Sequence, residues 1–202
     1  LSGCRDALTN LKSLTLQGFE LKDLDVMNDC SQLTSLRLIG FTSHVGMGFL
    51  TSLRSLKRLC LIDITSPDWF PGKVPLDHSV LPQLTQLVCN CVVEQWIHVI
   101  SSLRLVEALG LHGWTLDLTS VNLLSRLDKL QNLRVLSTKT LHYKAPLKPQ
   151  AISLLQRLES LQSIQYEDLS KKHWDHVREL SPFLKIEMLA GLNWAWLEDN
   201  CH

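Results

Sequence analysis

The chain has 202 residues, 20 basic and 20 acidic side chains, and no net charge. That length supports one domain with a sizeable core, and the charge balance removes the electrostatic case for nucleic acid or an anionic membrane as partner. No apolar run approaches the roughly 18 residues that a membrane-spanning helix needs.

Leucine dominates: 43 of the 202 residues, about twice its usual share, so it has a structural task here. The six cysteines, Cys4, Cys30, Cys60, Cys89, Cys91 and Cys201, do not gather at the ends, and no Asn-x-Ser/Thr acceptor occurs. Both features predict a reducing, intracellular setting, cytoplasm or nucleus, with the thiols acting as small apolar residues. The chain opens on Leu1 rather than Met, and "LSGC" (1–4) reads as the tail of an earlier unit. We therefore expect the native chain to continue upstream.

From residue 11 a pattern recurs. "LKSLTLQGF" (11–19) is followed by "LTSLRLIGF" (33–41), with Leu, Ser, Leu, Leu, Gly and Phe at matched positions. Writing the unit as L-x-x-L-x-L-x-x-F, its descendants begin at Leu11, Leu33, Leu56, Leu84, Val106, Leu133 and Leu161. A degenerate eighth follows at Phe183, Ile186 and Met188. The steps are 22, 23, 28, 22, 27, 28 and 22 residues.

The central L-x-L alternates with period two and predicts a short strand with leucines on one face. One such strand cannot bury that face alone, whereas eight stacked in parallel share a continuous core. The return segments carry helical spacing in 94–106 (Trp96, Ile97, Ile100, Leu103) and 118–133 (Val121, Leu124, Leu127, Leu130). Similar spacing recurs in 148–161, with Pro149 near its start, and a more polar helix is predicted over 170–180. The shorter returns, 20–32 and 42–55, have room for a turn or two. The return 65–83 holds four of the seven prolines and cannot be one regular helix. Trp69 and Phe70 in that loop either tuck against the body or present an aromatic to a partner. Trp194 and Trp196 suit a cap over residues 181–202.

Steps of this size with this template resemble leucine-rich repeats over essentially the whole chain. The resemblance implies a single domain over 1–202: an α/β solenoid curved as a horseshoe. About eight short parallel strands line its concave side, with helices and loops on the convex side. One departure is that the last template position holds Phe19, Phe41, Ile64, Val92, Trp114 or Leu141, where the familiar pattern has Asn or Cys. The irregular step is similar to the substrate-binding repeats of F-box proteins. That resemblance implies a substrate receptor of a ubiquitin ligase, recruited through an adaptor-binding segment upstream. The rival implications are a sensing module of an intracellular innate-immune receptor and an extracellular receptor or adhesion domain.

Chemistry is sparse. No P-loop, dinucleotide fingerprint or nucleophile elbow occurs. Cys89 and Cys91 in "CNC", with His78 and His98, invite a zinc reading, but the spacing of one is wrong and Cys89 stands where a core leucine belongs. The pair His173 and His176 has no third ligand. We expect no enzyme activity, no cofactor and no metal. Function is expected on the concave residues between the leucines. Cys60, Ile39, Ile62 and Val88 are predicted to form an exposed apolar patch flanked by Arg37 and Arg58. Asn90, His112 and Lys139 extend this surface along later rungs, and Trp69 offers a second contact. Glu167 and Glu187 towards the C-terminus would complete a charge polarity able to orient an elongated protein partner.

Overall fold

In a computed structural model the described residues are 5–18, 25–40, 47–62, 79–89, 100, 102–111, 130–138, 163–166 and 185–188. Among the described residues, eight strands make one parallel sheet whose spatial order is their sequence order. They are β1 (Ser13–Gln17), β2 (Ser35–Ile39), β3 (Arg58–Ile62), β4 (Gln86–Cys89), β5 (Ala108–Leu111), β6 (Val135–Thr138), β7 (Ser163–Tyr166) and β8 (Lys185–Met188). The sheet is open, since β8 does not return to β1.

Every pairing keeps the repeat in phase. Leu14, Leu36, Leu59, Leu87, Leu109, Leu136, Ile164 and Ile186 face one another in a single row. A second row runs Leu16, Leu38, Leu61, Cys89, Leu111, Thr138, Tyr166 and Met188. A shift of one residue would turn both rows out to the other face, so the leucines themselves enforce the register. From β2 to β4 both rows are buried, Leu38 and Leu61 completely. Each such side chain contributes about 1.5–3 kcal/mol by leaving water.

The rungs are joined by a repeated backbone device. The carbonyl of Lys12 accepts from the amides of Thr34 and Ser35, that of Thr34 from Lys57 and Arg58, and that of Lys57 from Thr85 and Gln86. The carbonyl of Thr85 then accepts from Glu107 and Ala108. Two hydroxyls add to it: Thr34 Oγ1 donates to the Lys12 carbonyl at 2.9 Å, and Thr85 Oγ1 to the Lys57 carbonyl at 3.2 Å. Strands β1 and β2 each end on a glycine in the left-handed region, Gly18 at φ 68° and Gly40 at φ 65°. Their amides still donate into the next rung, to the carbonyls of Ile39 and Ile62 at 2.9 Å. The chain thus leaves the sheet at once without losing a ladder bond, a conformation that a Cβ penalises.

The short returns behave as their length predicts. A helix over Arg5–Thr9 (α1) precedes β1, and 3-10 helices occupy Asp25–Asp29 and Met47–Ser52. Ser52 Oγ donates to Asn28 Oδ1 at 2.8 Å, which ties the two 3-10 segments together. The longer helices expected over 94–106, 118–133, 148–161 and 170–180 lie mostly outside the described residues, with Ile100 helical. Where their ends are visible, the expectation is corrected. Residues 102–106 and 130–133 are turns and extended chain, so Leu103 and Leu130 are not helical.

These two leucines belong to a further row. A turn closes in front of each rung, with the amide of Leu11 bonded to the carbonyl of Leu8, Leu33 to Cys30, Leu56 to Leu53 and Leu84 to Leu81. Val106 to Leu103 and Leu133 to Leu130 continue the series. The unit is therefore one apolar position longer than the template read from the sequence. The same spacing places Leu158 and Leu180 before the last two rungs, so the signal was there to be read. Cys30 stands in the second copy of this row and is completely buried.

Candidate interaction surface

Strand alternation sends Ser13, Thr15 and Gln17 of β1 to the face opposite the leucines, and the register carries this face across the sheet. One column runs Ser13, Ser35, Arg58, Gln86, Ala108. The next runs Thr15, Arg37, Cys60, Val88, Gly110, and the third starts Gln17, Ile39, Ile62. These are the columns the repeat predicts, so Arg37, Ile39, Arg58, Cys60, Ile62 and Val88 do share one face.

The exposure of that face departs from expectation. Cys60, Ile62, Val88 and Ala108 are 8, 6, 4 and 8% exposed, and they form a cluster of their own with Ile39 packed against it. Of the apolar patch predicted to lie open, Cys60, Ile62 and Val88 are closed to water and Ile39 is half-buried. The sequence pattern identified its members, but period-two reasoning assigns a face and does not say whether that face is covered. A floor made of Cys, Ile, Val and Ala also lacks the long polar side chains that would stand out into solvent. What remains accessible is its border. Ser13, Thr15 and Gln17 are exposed, while Ser35, Arg37, Ile39, Arg58 and Gln86 are half-buried. The Nε atom of Arg37 is shielded from solvent, so its guanidinium is partly held down against the sheet.

Asn90, His112, Lys139 and Trp69 lie outside the described residues, as does Glu167. Glu187 is on β8, in register with Gln165 of β7.

The thiols follow the core reading where they are described. Cys30, Cys60 and Cys89 are buried, and Cys89 fills a leucine place between Leu61 and Leu111. Cys91, His78 and His98 are not described. Among the described residues no group of three or more His, Cys, Asp or Glu could hold a metal ion, and no helix is long and apolar enough to cross a membrane. Burial pushes the Cys30 thiol above its ordinary pKa, and the neighbouring Asp29 charge adds to the shift.

A rim that sequence reading passed over runs along the turns before the strands. Asn10, Gln32, Gln83 and Asn132 are exposed there. Gln32 Oε1 accepts from Lys12 Nζ at 3.0 Å, and Asn132 Nδ2 donates to the Arg104 carbonyl at 2.9 Å. Leu105 interrupts this polar rim at 48% exposure.

By sequence, no protein-family model and no curated protein matches the chain. By structure it resembles an internalin of Listeria monocytogenes, at 16% identity and a TM-score of 0.55, covering 91% of this chain and 49% of that one. It also resembles a leucine-rich-repeat protein of Leptospira interrogans, at 19% identity and a TM-score of 0.54, covering 89% and 49%. The chain thus spans about half the length of these structures. In-phase leucine rows, a parallel sheet in sequence order and this likeness together make the fold that of leucine-rich-repeat proteins.

Proposed function

We propose that the chain is a non-enzymatic protein-interaction module that binds a protein partner on its concave face. The observation that carries this reading is the half-buried border of Arg37, Ile39 and Arg58 on β2 and β3, set beside a closed apolar floor. Partly desolvated guanidinium groups next to apolar surface make stronger and more directional contacts than fully hydrated ones. A rigid sheet also presents them without an ordering cost. Asn90, His112, Lys139 and Trp69 are candidates to extend the contact.

The finer reading is a substrate receptor of a ubiquitin ligase, with an adaptor bound through a segment upstream and an intracellular location. It is supported by the style of the repeats and by the three buried thiols. A repeat scaffold alone implies no single function, so two measurements are needed. Affinity capture with the full-length protein should recover a cullin-type scaffold, and its absence would remove the ligase reading. The double variant Arg37→Glu, Arg58→Glu should weaken binding of the captured partner by tenfold or more, about 1.4 kcal/mol, while leaving the thermal midpoint nearly unchanged. Equal affinity of variant and parent would remove the concave site.

A further inference from the structure

We infer that the turns before β3 to β6 form a second contact edge, which takes an extended acidic segment of a protein partner lying across the rungs. This edge goes beyond the concave site and uses none of the residues assigned there. Arg54 stands in the turn that Leu56 closes on Leu53, and Arg104 and Leu105 in the turn that Val106 closes on Leu103. The residues just inside these turns start the ladder. The Lys57 carbonyl accepts from the Thr85 amide, that of Thr85 from Glu107, and that of Glu107 from Arg134. Two rows therefore run side by side along one edge of the sheet, Arg54 and Arg104 on the outer one, Lys57 and Arg134 on the inner one. All four rungs have paired strands on both sides, so the sheet itself sets the spacing of their turns.

Charge and one apolar side chain say what fits there. Arg54, Lys57, Arg104 and Arg134 are all exposed, and among the described residues of these two rows Glu107 is the one acid. The chain as a whole is neutral, so placement, not composition, makes this edge cationic. Single exposed charges bind weakly, but several held at fixed spacing act together and orient a partner. Leu105, beside Arg104, is the one large apolar side chain left exposed among the described residues, at 48%. A run of phosphates has nothing to set against a leucine and meets Glu107 as a like charge, whereas a peptide brings acidic and apolar side chains together. The Asn132 side chain, bonded to the Arg104 carbonyl at 2.9 Å, pins the neighbouring turn alongside, so the edge is presented in order. Strands lie about 4.8 Å apart and an extended chain rises about 3.3 Å per residue. Arg54 and Arg104 are two rungs apart, so acidic residues about three positions apart reach both, and an apolar residue after the second meets Leu105.

Fluorescence anisotropy with a labelled synthetic peptide tests this on the full chain. The peptide carries two glutamates at that spacing and a leucine after the second, and a control of the same composition has the glutamates adjacent. Saturable binding of the first peptide is expected, weaker for the control and weakened by added salt. The double variant Arg54→Glu, Arg104→Glu should lower the affinity about tenfold at an unchanged thermal midpoint, since both side chains are exposed. If that variant fails to fold, Arg54→Gln with Arg104→Gln carries the same comparison. Leu105→Ser should weaken the peptide by a smaller factor. Arg37→Glu with Arg58→Glu should leave it unchanged, so loss of this edge and loss of the concave site read separately. Absence of saturable binding overturns the proposal, as does equal affinity for the control peptide or for the Arg54 and Arg104 variant. Tighter binding of oligothymidylate, or of vesicles containing phosphatidylserine, assigns the edge to nucleic acid or to a membrane and overturns it too.

Discussion

Strands β1 and β3 are copies of one unit, yet they sit in different environments. In β1 the concave positions are exposed and the leucines half-buried, whereas in β3 only Arg58 stays half-buried and the four residues after it are buried. Between them, β2 alternates cleanly between half-buried and buried. Two causes separate them. β1 has a neighbour on one side only among the described residues, so its leucines lose the contacts that a preceding rung would supply. In a solenoid each unit is stabilised by nearest neighbours, and an end unit has half of them. On the other face, β1 carries Ser, Thr and Gln, while β3 to β5 carry Cys60, Ile62, Val88 and Ala108, which pack on one another. A repeat therefore specifies position in the sheet, and the variable residues decide whether a position serves core or surface.

The largest expected effect contrasts the two strands directly. Leu61→Ala empties a completely buried site and should cost about 2–5 kcal/mol in denaturant unfolding. Leu16→Ala, the same change in the same row two rungs away at a half-buried position, should cost clearly less. Equal losses would mean that β1 is packed as tightly as β3.

Gly40→Ala comes next. Among the described residues a Cβ there meets nothing closer than the Gly18 backbone at 3.8 Å, so space does not oppose it, but φ is 65°. The left-handed conformation alone should cost about 1–2 kcal/mol, read as a lower denaturation midpoint. A neutral result would show that the turn can leave the left-handed region while the amide keeps its bond to Ile62.

The smallest effect is titration of Cys30. Its thiol is raised above the ordinary 9.0 by burial and by Asp29, so the folded chain keeps a proton that the unfolded chain gives up. Stability from this group is complete below about pH 9 and falls as pH rises past it. Denaturation series on the alkaline side should show that fall, and Cys30→Ala should flatten it. Identical slopes in parent and variant would break the assignment.

The rows of leucine were legible because period two is a local signal, read within five residues, and it carried Arg37, Arg58 and their columns to the right face. The turn row was missed for a local reason as well. Leu103 and Leu130 lie three residues before the first apolar residue of the next rung, a spacing that also fits a helix, and only the bond from Val106 or Leu133 distinguishes a turn. Cys30 escaped notice because the row to which it belongs was not recognised.

What the amino-acid order determined on its own is the pattern of the rungs, their parallel sense and their register. Each rung repeats the same short pattern, and any slip would expose two rows of leucine. What tertiary structure alone decided is which concave residues meet water. Cys60, Val88 and Ala108 come from rungs 22 to 28 residues apart, and their burial exists only once those rungs lie side by side. Adjacency across such distances is a property of the stacked chain, and no window of sequence around any one of them contains it.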